Sequence, residues 1–146
     1  MMRIENMTKA HVAEVAALEA SCFSVPWSAQ QLCQSLKISG AHAIALFKGD
    51  SVIGYAMQVL VADTSELLRI AVDPIHTRKG YGRALTIQIV DHARTSGCKH
   101  IFLEVRSTNS AALALYASLG FEQISLRKGY YNSPADDAVI MRLQLD

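Results

Sequence analysis

Charge is scarce in this sequence, and what there is nearly cancels. Asp, Glu, Lys and Arg make up 18% of the 146 residues, against roughly 25% in an average soluble domain. Apolar residues reach 51%, so part of the apolar surface is expected to face a ligand, a peptide or a partner. The 14 Lys and Arg stand against 13 Asp and Glu, a formal net charge of +1. That lacks the basic excess left in a sequence by counterion-driven nucleic-acid binding, so no general DNA or RNA binding is expected.

Cysteine is equally sparse. Cys22, Cys33 and Cys98 are odd in number and scattered, with no C-x-x-C pair and no histidine at metal-ligand spacing, which speaks against a metal site and for reduced thiols in a cytoplasm. Nor is there a long apolar run. The N-terminal "MMRIENMTK" has no apolar targeting core, and the longest stretch, "VIGYAMQVLVA", is too short to span a bilayer. A cytoplasmic protein without membrane contact is expected. Repeats, low-complexity tracts and linkers are missing too, and the length suits one domain over residues 1–146.

What is present alternates between strand and helix patterns. After a short initial strand, Thr8 can cap a helix to about Cys22 with an apolar stripe of Val12, Val15, Ala16 and Leu18. "FSVPWS" breaks it, and Ser28 with Gln31 forms a candidate capping box for a second helix to about Lys37. The segments 41–48 and 51–62 are β-branched and apolar, with hairpin chemistry at Gly49-Asp50 between them. A third strand is expected at about 65–72, ending at "DP" because Pro74 donates to no ladder. A helix follows from Tyr81 to about Ser96, closed by Gly97. "IFLEV" then reads as a buried strand, Asn109 as the cap of the helix "SAALALYASLG", and "FEQISLRKGYY" and "DAVIMRLQL" as two last strands. The order is that of a mixed α/β sheet.

Between the third strand and the next helix lies "RKGYGRAL", residues 78–85. Free backbone N–H groups and the positive end of a helix dipole converge at such a place, so an anion can be held there. Gly80 and Gly82 could equally serve only to make a tight turn. A Walker loop is excluded by the missing G-x-x-x-x-G-K-[ST] spacing. A dinucleotide fingerprint is excluded because Leu85 stands where a third glycine belongs and "DPIHTR" separates loop from strand.

Together, "RIAVDPIHTRKGYGRAL", "FLEVRSTNSAALALYASLGF" and "YYNSPADDAVIM" resemble the GNAT superfamily of acetyl-CoA-dependent N-acetyltransferases. "LEVR", "N-x-A-A-x-x-L-Y-x-S-L-G-F" and "YY…DDA-x-x-M" are most similar to the RimI-type ribosomal-protein alanine N-acetyltransferases. The resemblance spans the chain, with its most specific motifs between 68 and 141. It implies a mostly antiparallel sheet of about seven strands flanked by about four helices, with acetyl-CoA as cosubstrate. It also implies that Arg78, Lys79, Gly80, Tyr81, Gly82 and Arg83 hold the coenzyme pyrophosphate through main-chain amides. Thr77 departs from the Gln or Arg usual three residues before the first glycine. By the same resemblance Ile70, Ala71 and Val72 pair with the pantetheine arm and polarise the thioester carbonyl, and Asn109 contacts the coenzyme. Without it, 70–72 reads simply as a buried strand and Asn109 as a helix cap.

Glu104 is a carboxylate among the apolar residues of "IFLEV", so it is either turned to a cleft or buried with a partner. An α-amine with a pKa near 7.7–8.0 is mostly protonated at neutral pH. A base must therefore deprotonate it, and a glutamate raised by an apolar cleft could contribute roughly 10²–10⁴-fold in rate. The resemblance makes Glu104 that base and Tyr116 the acid that protonates the departing thiolate; on position alone, Tyr116 reads as a core tyrosine. Tyr130 and Tyr131 are expected on a loop between the final strands that encloses a peptide N-terminus, with Asp136 and Asp137 nearby for a cationic amine, although paired tyrosines are also common packing residues. Trp27, in "VPW", is expected across the acceptor cleft or else as a hydrophobic anchor. His11, His42, His76, His92 and His100 have no motif company and receive no chemistry.

Three functions are compatible with these residues. The first is acetyl transfer by direct attack to the N-terminal amine of a protein, an alanine of a small-subunit ribosomal protein being the implied acceptor. No cysteine or serine stands in a nucleophile setting. The second keeps the fold but uses a small amine as acceptor, against which the double tyrosine and "DDA" speak. The third is a non-catalytic acyl-CoA-binding module, for which both Glu104 and Tyr116 would be superfluous.

Overall fold

A computed structural model describes residues 2–145. Seven strands run in the order β1-β2-β3-β4-β5-β7-β6: β1 Met2–Asn6, β2 Ala41–Lys48, β3 Ser51–Val61, β4 Thr64–Val72, β5 His100–Arg106, β6 Glu122–Asn132 and β7 Ala135–Gln144. The four α-helices are α1 Val12–Cys22, α2 Ala29–Leu36, α3 Tyr81–Thr95 and α4 Ser110–Ser118. Every ladder is antiparallel except β4 with β5, as the α3 crossover between them requires. This is the mixed, mostly antiparallel seven-strand, four-helix arrangement expected.

Local chemistry sets the element ends. Ser28 Oγ accepts from the Gln31 amide at 3.1 Å while the Gln31 side chain accepts from the Ser28 amide at 2.8 Å, closing the reciprocal capping box of α2. Asn109 Oδ1 accepts from the Ala112 amide at 3.2 Å and starts α4. Thr8 precedes a 3-10 turn, Lys9–His11, before α1 begins at Val12. The β2–β3 hairpin turns at Gly49, whose φ of +61° suits glycine.

Two cores sandwich the sheet. On one face α3 and α4 cover Leu46, Ala56, Leu67, Leu103, Val105 and Met141. On the other, α1 and α2 cover Ala45, Phe47, Tyr55, Met57 and Ala71, a core to which β2, β3 and β4 contribute but, among the described residues, β5, β6 and β7 do not. The α1 side of the β5–β7–β6 half thus carries no helix. Cys22, Cys33 and Cys98 are free thiols. Among the described residues no helix is long and apolar enough to cross a membrane.

One expectation is corrected. Tyr130 and Tyr131 do not lie on a loop: β6 runs on to Asn132, Tyr131 pairs with Asp136, and only Ser133 and Pro134 separate β6 from β7. Aromatic residues favour a pleated surface, and the irregularity is taken up within the strand, where the register shifts between Arg127 and Tyr131 around Gly129 at φ +64°.

Candidate active site

The sheet is split at its centre. β4 and β5 pair only from Thr64↔His100 to Leu67↔Leu103. Beyond that, β4 stays with β3 as far as Gly54↔Val72, and β5 stays with β7 as far as Arg106↔Ala138. A β-bulge at Leu68 marks the fork, because Met57 pairs with Arg69 while Gln58 pairs with Leu67; bulges commonly end pairing beside functional sites. Past the fork Ile70, Ala71 and Val72 face β5 with a strand edge lacking a ladder partner, a template for an extended ligand. The carbonyl of Val72 accepts from the Cys22 thiol at 3.3 Å.

β4 leads into the glycine loop. Asp73 accepts from the Ile75 amide, and the Thr77 hydroxyl turns back to the Pro74 carbonyl at 3.1 Å, so the Thr77 side chain is occupied within the turn. Arg78 and Gly80 both adopt left-handed backbone, at φ +63° and +80°, and Gly80 is the N-cap of α3 with no side chain capping the helix. The first-turn amides at Tyr81, Gly82 and Arg83 therefore keep their donors at the positive end of a 15-residue helix. Arg78, Lys79 and Gly80 are exposed, while the Arg83 guanidinium is drawn to Ser118 Oγ on α4 at 2.9 Å. Unpaired main-chain donors beside exposed cations fit a diphosphate; the free β4 edge fits the extended arm of the same ligand.

Glu104 is the first β5 residue past the fork. It is half-buried and lies on the face away from Leu103 and Val105. Tyr130 approaches it from β6, and its hydrogen-bonding approach to Glu104, with that carboxylate's charge, raises the Tyr130 phenol above its ordinary value. Tyr116 comes from the opposite face: on α4 it is buried, its ring 5.6 Å from Phe121, and burial pushes its phenol up to about 12. It therefore keeps its proton at neutral pH. Glu104 and Tyr116 thus lie on opposite faces of the sheet. Asn109 is exposed at the head of α4, its carbonyl already committed to capping.

Two aromatic walls stand on the α1 side, one against each arm of the fork. Trp27 is in the first, and its anchoring was not read from the sequence. Glu19, fully buried on α1, accepts from the Trp27 amide at 2.8 Å, from Arg69 Nε at 3.0 Å and Nη2 at 2.5 Å, and from the Tyr55 hydroxyl. Four donors satisfy the buried charge, as burial demands. The Arg69 guanidinium lies 3.9 Å from the Phe23 ring centroid and 4.7 Å from that of Trp27. The second wall is the β6–β7 hairpin, where Tyr130 and Tyr131 meet edge to face at 5.1 Å. The two acids beside it are engaged within the protein: Asp136 accepts from the Ser107 and Thr108 hydroxyls at 2.5 and 2.6 Å, which hold it down to about 2, and Asp137 accepts from the Gly129 amide at 2.8 Å. The Asp136 carboxylate ties the hairpin to the β5–α4 turn, and that of Asp137 bonds to β6 within the hairpin. Glu19 and Arg69 carried a legible signal, each a charge inside an apolar stretch, the same one that singled out Glu104.

Two surface cavities, of about 360 and 270 Å³, lie by β1 and β2 near His42, away from the fork. Among the described residues no cluster of three His, Cys, Asp or Glu side chains could hold a metal ion.

Residues 12–121 match the family described as the Acetyltransferase (GNAT) family. The [Ribosomal protein bS18]-alanine N-acetyltransferase of Escherichia coli K12 is 34% identical over 132 residues, 88% of this chain and 87% of that protein. The N-alpha-acetyltransferase RimI of Mycobacterium tuberculosis is 35% identical over 145 residues, 95% of this chain and 90% of that protein. The crystal structure of the ribosomal-protein-S18-alanine N-acetyltransferase from Escherichia coli superposes with a TM-score of 0.93 at 31% identity, covering 100% of this chain and 95% of that one.

Proposed function

The chain belongs to the GNAT family of acetyltransferases, and from that premise we propose that it acetylates the N-terminal amine of a protein, with the alanine terminus of a small-subunit ribosomal protein as acceptor and acetyl-CoA as donor. The observation that supports this most is the position of Glu104, at the fork, with the amide cradle on one side and the two aromatic walls on the other.

In this reading the amides of Arg78 to Arg83 hold the pyrophosphate, and Asn109 adds a contact through its free amide nitrogen. The β4 edge at Ile70, Ala71 and Val72 aligns the pantetheine, so that a main-chain N–H polarises the thioester carbonyl. Acetyl-CoA supplies the activated acetyl group. Glu104 takes one proton from the acceptor ammonium, directly or through a water, and frees its lone pair for attack on the carbonyl carbon. As the C–N bond forms and the C–S bond breaks, Tyr116 hands its proton to the sulfur, and the second proton that the nitrogen sheds on becoming an amide passes through water to restore the phenol. Trp27, Tyr130 and Tyr131 line the approach of the peptide. Its fit to a peptide acceptor rests on those two walls, and the names of the two relatives above point to the same acceptor class.

The test is thiol release and peptide mass in one assay, with an Ala-initiated ribosomal peptide competing against polyamines, aminoglycosides and free amino acids. The peptide should be acetylated at its terminus in preference to the small amines. Glu104→Gln should lower kcat by about 100-fold or more and leave the acetyl-CoA KM within about twofold. Undiminished turnover of that variant from pH 6 to 9 would remove Glu104 from the reaction, and acetyl-CoA binding without turnover on any amine would remove the enzyme reading.

A further inference from the structure

The α1 side of the fork ends in one shared atom. Arg106 lies two residues past Glu104 on β5, and alternation puts both side chains on the same face. Its guanidinium donates to the carbonyls of Pro134 at 2.6 Å and Ser133 at 3.2 Å, and its central carbon lies 4.2 Å from the Tyr131 ring centroid. The same Ser133 carbonyl accepts from Ser24 Oγ at 2.5 Å. Ser24 lies between α1 and α2, next to Phe23, which Arg69 holds from β4. Each arm of the fork thus carries an arginine that pins one aromatic wall, and the walls join at the Ser133 carbonyl.

We propose that Arg106, with Ser24, is a clasp that positions the acceptor: it joins the α1–α2 segment to the β6–β7 turn and so fixes the gap through which a peptide terminus reaches Glu104. Arg106 acts through Tyr131 and the turn and does not touch the reacting atoms; it is a positioning residue. A planar guanidinium suits the task, because it bridges two carbonyls and lies flat on a ring at once, which a single ammonium cannot do. A small amine has no chain to be aligned by the walls, so the clasp matters in proportion to the length of the acceptor. The inference rests on the peptide-acceptor reading above.

The experiment compares wild type, Arg106→Gln, Arg106→Lys and Ser24→Ala with an Ala-initiated peptide and with the dipeptide amide of the same terminus. Arg106→Gln should raise the KM of the long peptide about tenfold, with kcat within about threefold, the acetyl-CoA KM unchanged and the dipeptide amide little affected. Arg106→Lys should recover part of the loss, and Ser24→Ala should raise the peptide KM about two- to threefold. An unchanged peptide KM in Arg106→Gln overturns the proposal, as does an equal rise for acetyl-CoA or for the dipeptide amide. If Arg106→Gln does not fold, Ser24→Ala decides: a raised peptide KM supports the clasp, an unchanged one overturns it. Failure of the wild type to acetylate any peptide sinks the acceptor reading instead, so the two failures are distinct.

Discussion

The two sides of the fork are built from different materials. On the side assigned to the coenzyme, the groups on offer are main-chain: the free edge of β4, the left-handed Arg78 and Gly80, and the uncapped start of α3. On the acceptor side they are side chains, and nearly every polar one is already engaged inside the protein, Glu19 by four donors and Arg106 by two carbonyls. The contrast follows from what each side has to do. Donors meant for a ligand have to be left without a partner, which exposure makes tolerable. Walls meant to aim a flexible chain must be rigid, which partnering provides. A main-chain cradle also depends little on side-chain identity, which is why Thr77 can turn its hydroxyl back to Pro74 and leave the cradle amides free.

The contrast can be broken most decisively at Glu19. Glu19→Ala leaves Arg69 and the Tyr55 hydroxyl without their acceptor and should cost about 3–5 kcal/mol of stability, read as a lowered urea midpoint, while coenzyme affinity of the folded fraction holds. A loss below about 1 kcal/mol would mean that the wall is not held by this carboxylate. Gly80→Ala probes the opposite side. A side chain at φ +80° costs about 1 kcal/mol; the free loop relaxes away from it and regains the strain on binding, so the coenzyme Kd by calorimetry should weaken roughly fivefold with the peptide KM unchanged. A shift in the peptide KM instead would merge the two sides.

The smallest expected effect lies outside both. His42 Nδ1 meets Gln58 Nε2 at 2.9 Å, and its ring stacks on His92 at 3.5 Å. Burial, then the charge of His92, lowers its pKa from 6.5 to about 4. The unfolded chain takes up this proton first, so the contribution to stability is present above about 6.5 and is lost as the pH falls toward 4. For a half-exposed ring, solvent screening keeps it to about 1 kcal/mol or less. His42→Asn should flatten the difference in urea midpoint between pH 7.5 and 5, and thereby separate acid loss of stability from acid loss of activity at the fork. An unflattened difference would place the titrating group elsewhere.

What could be read from the sequence was local. The Ser28–Gln31 box, the Asn109 cap, the Gly49 turn and the glycine loop each depend on residues within a few positions of one another, and all four stand where expected. Glu104 was legible as a charge in an apolar strand. Glu19 and Arg69 present that same pattern but are 50 positions apart, and neither segment indicates the other without the fold. The reading of "FEQISLRKGYY" as a strand holds through both tyrosines, whereas their placement on an enclosing loop does not, because β6 absorbs its irregularity around Gly129 and continues to Asn132. Arg106 stood in a quoted motif, yet its target, the Ser133–Pro134 turn, is defined only once β5 and β7 are paired.

The surplus residue in β4 has a consequence for parity. Leu67 enters the α3 core, Leu68 the α1 core, and the next residue, which strict alternation would return to α3, instead points back to α1 as Arg69 and meets Glu19; Ile70 and Val72 then fall to the α3 layer. Removing Leu68 would restore strict alternation and keep Arg69 on the α1 side, whereas one further residue inserted after Leu68 would rotate Arg69 to the wrong side of the sheet and present Ile70 to Glu19 in its place. A single surplus peptide unit thus decides which layer receives the charge, so an insertion here should be far more damaging than a replacement or than the loss of Leu68 itself.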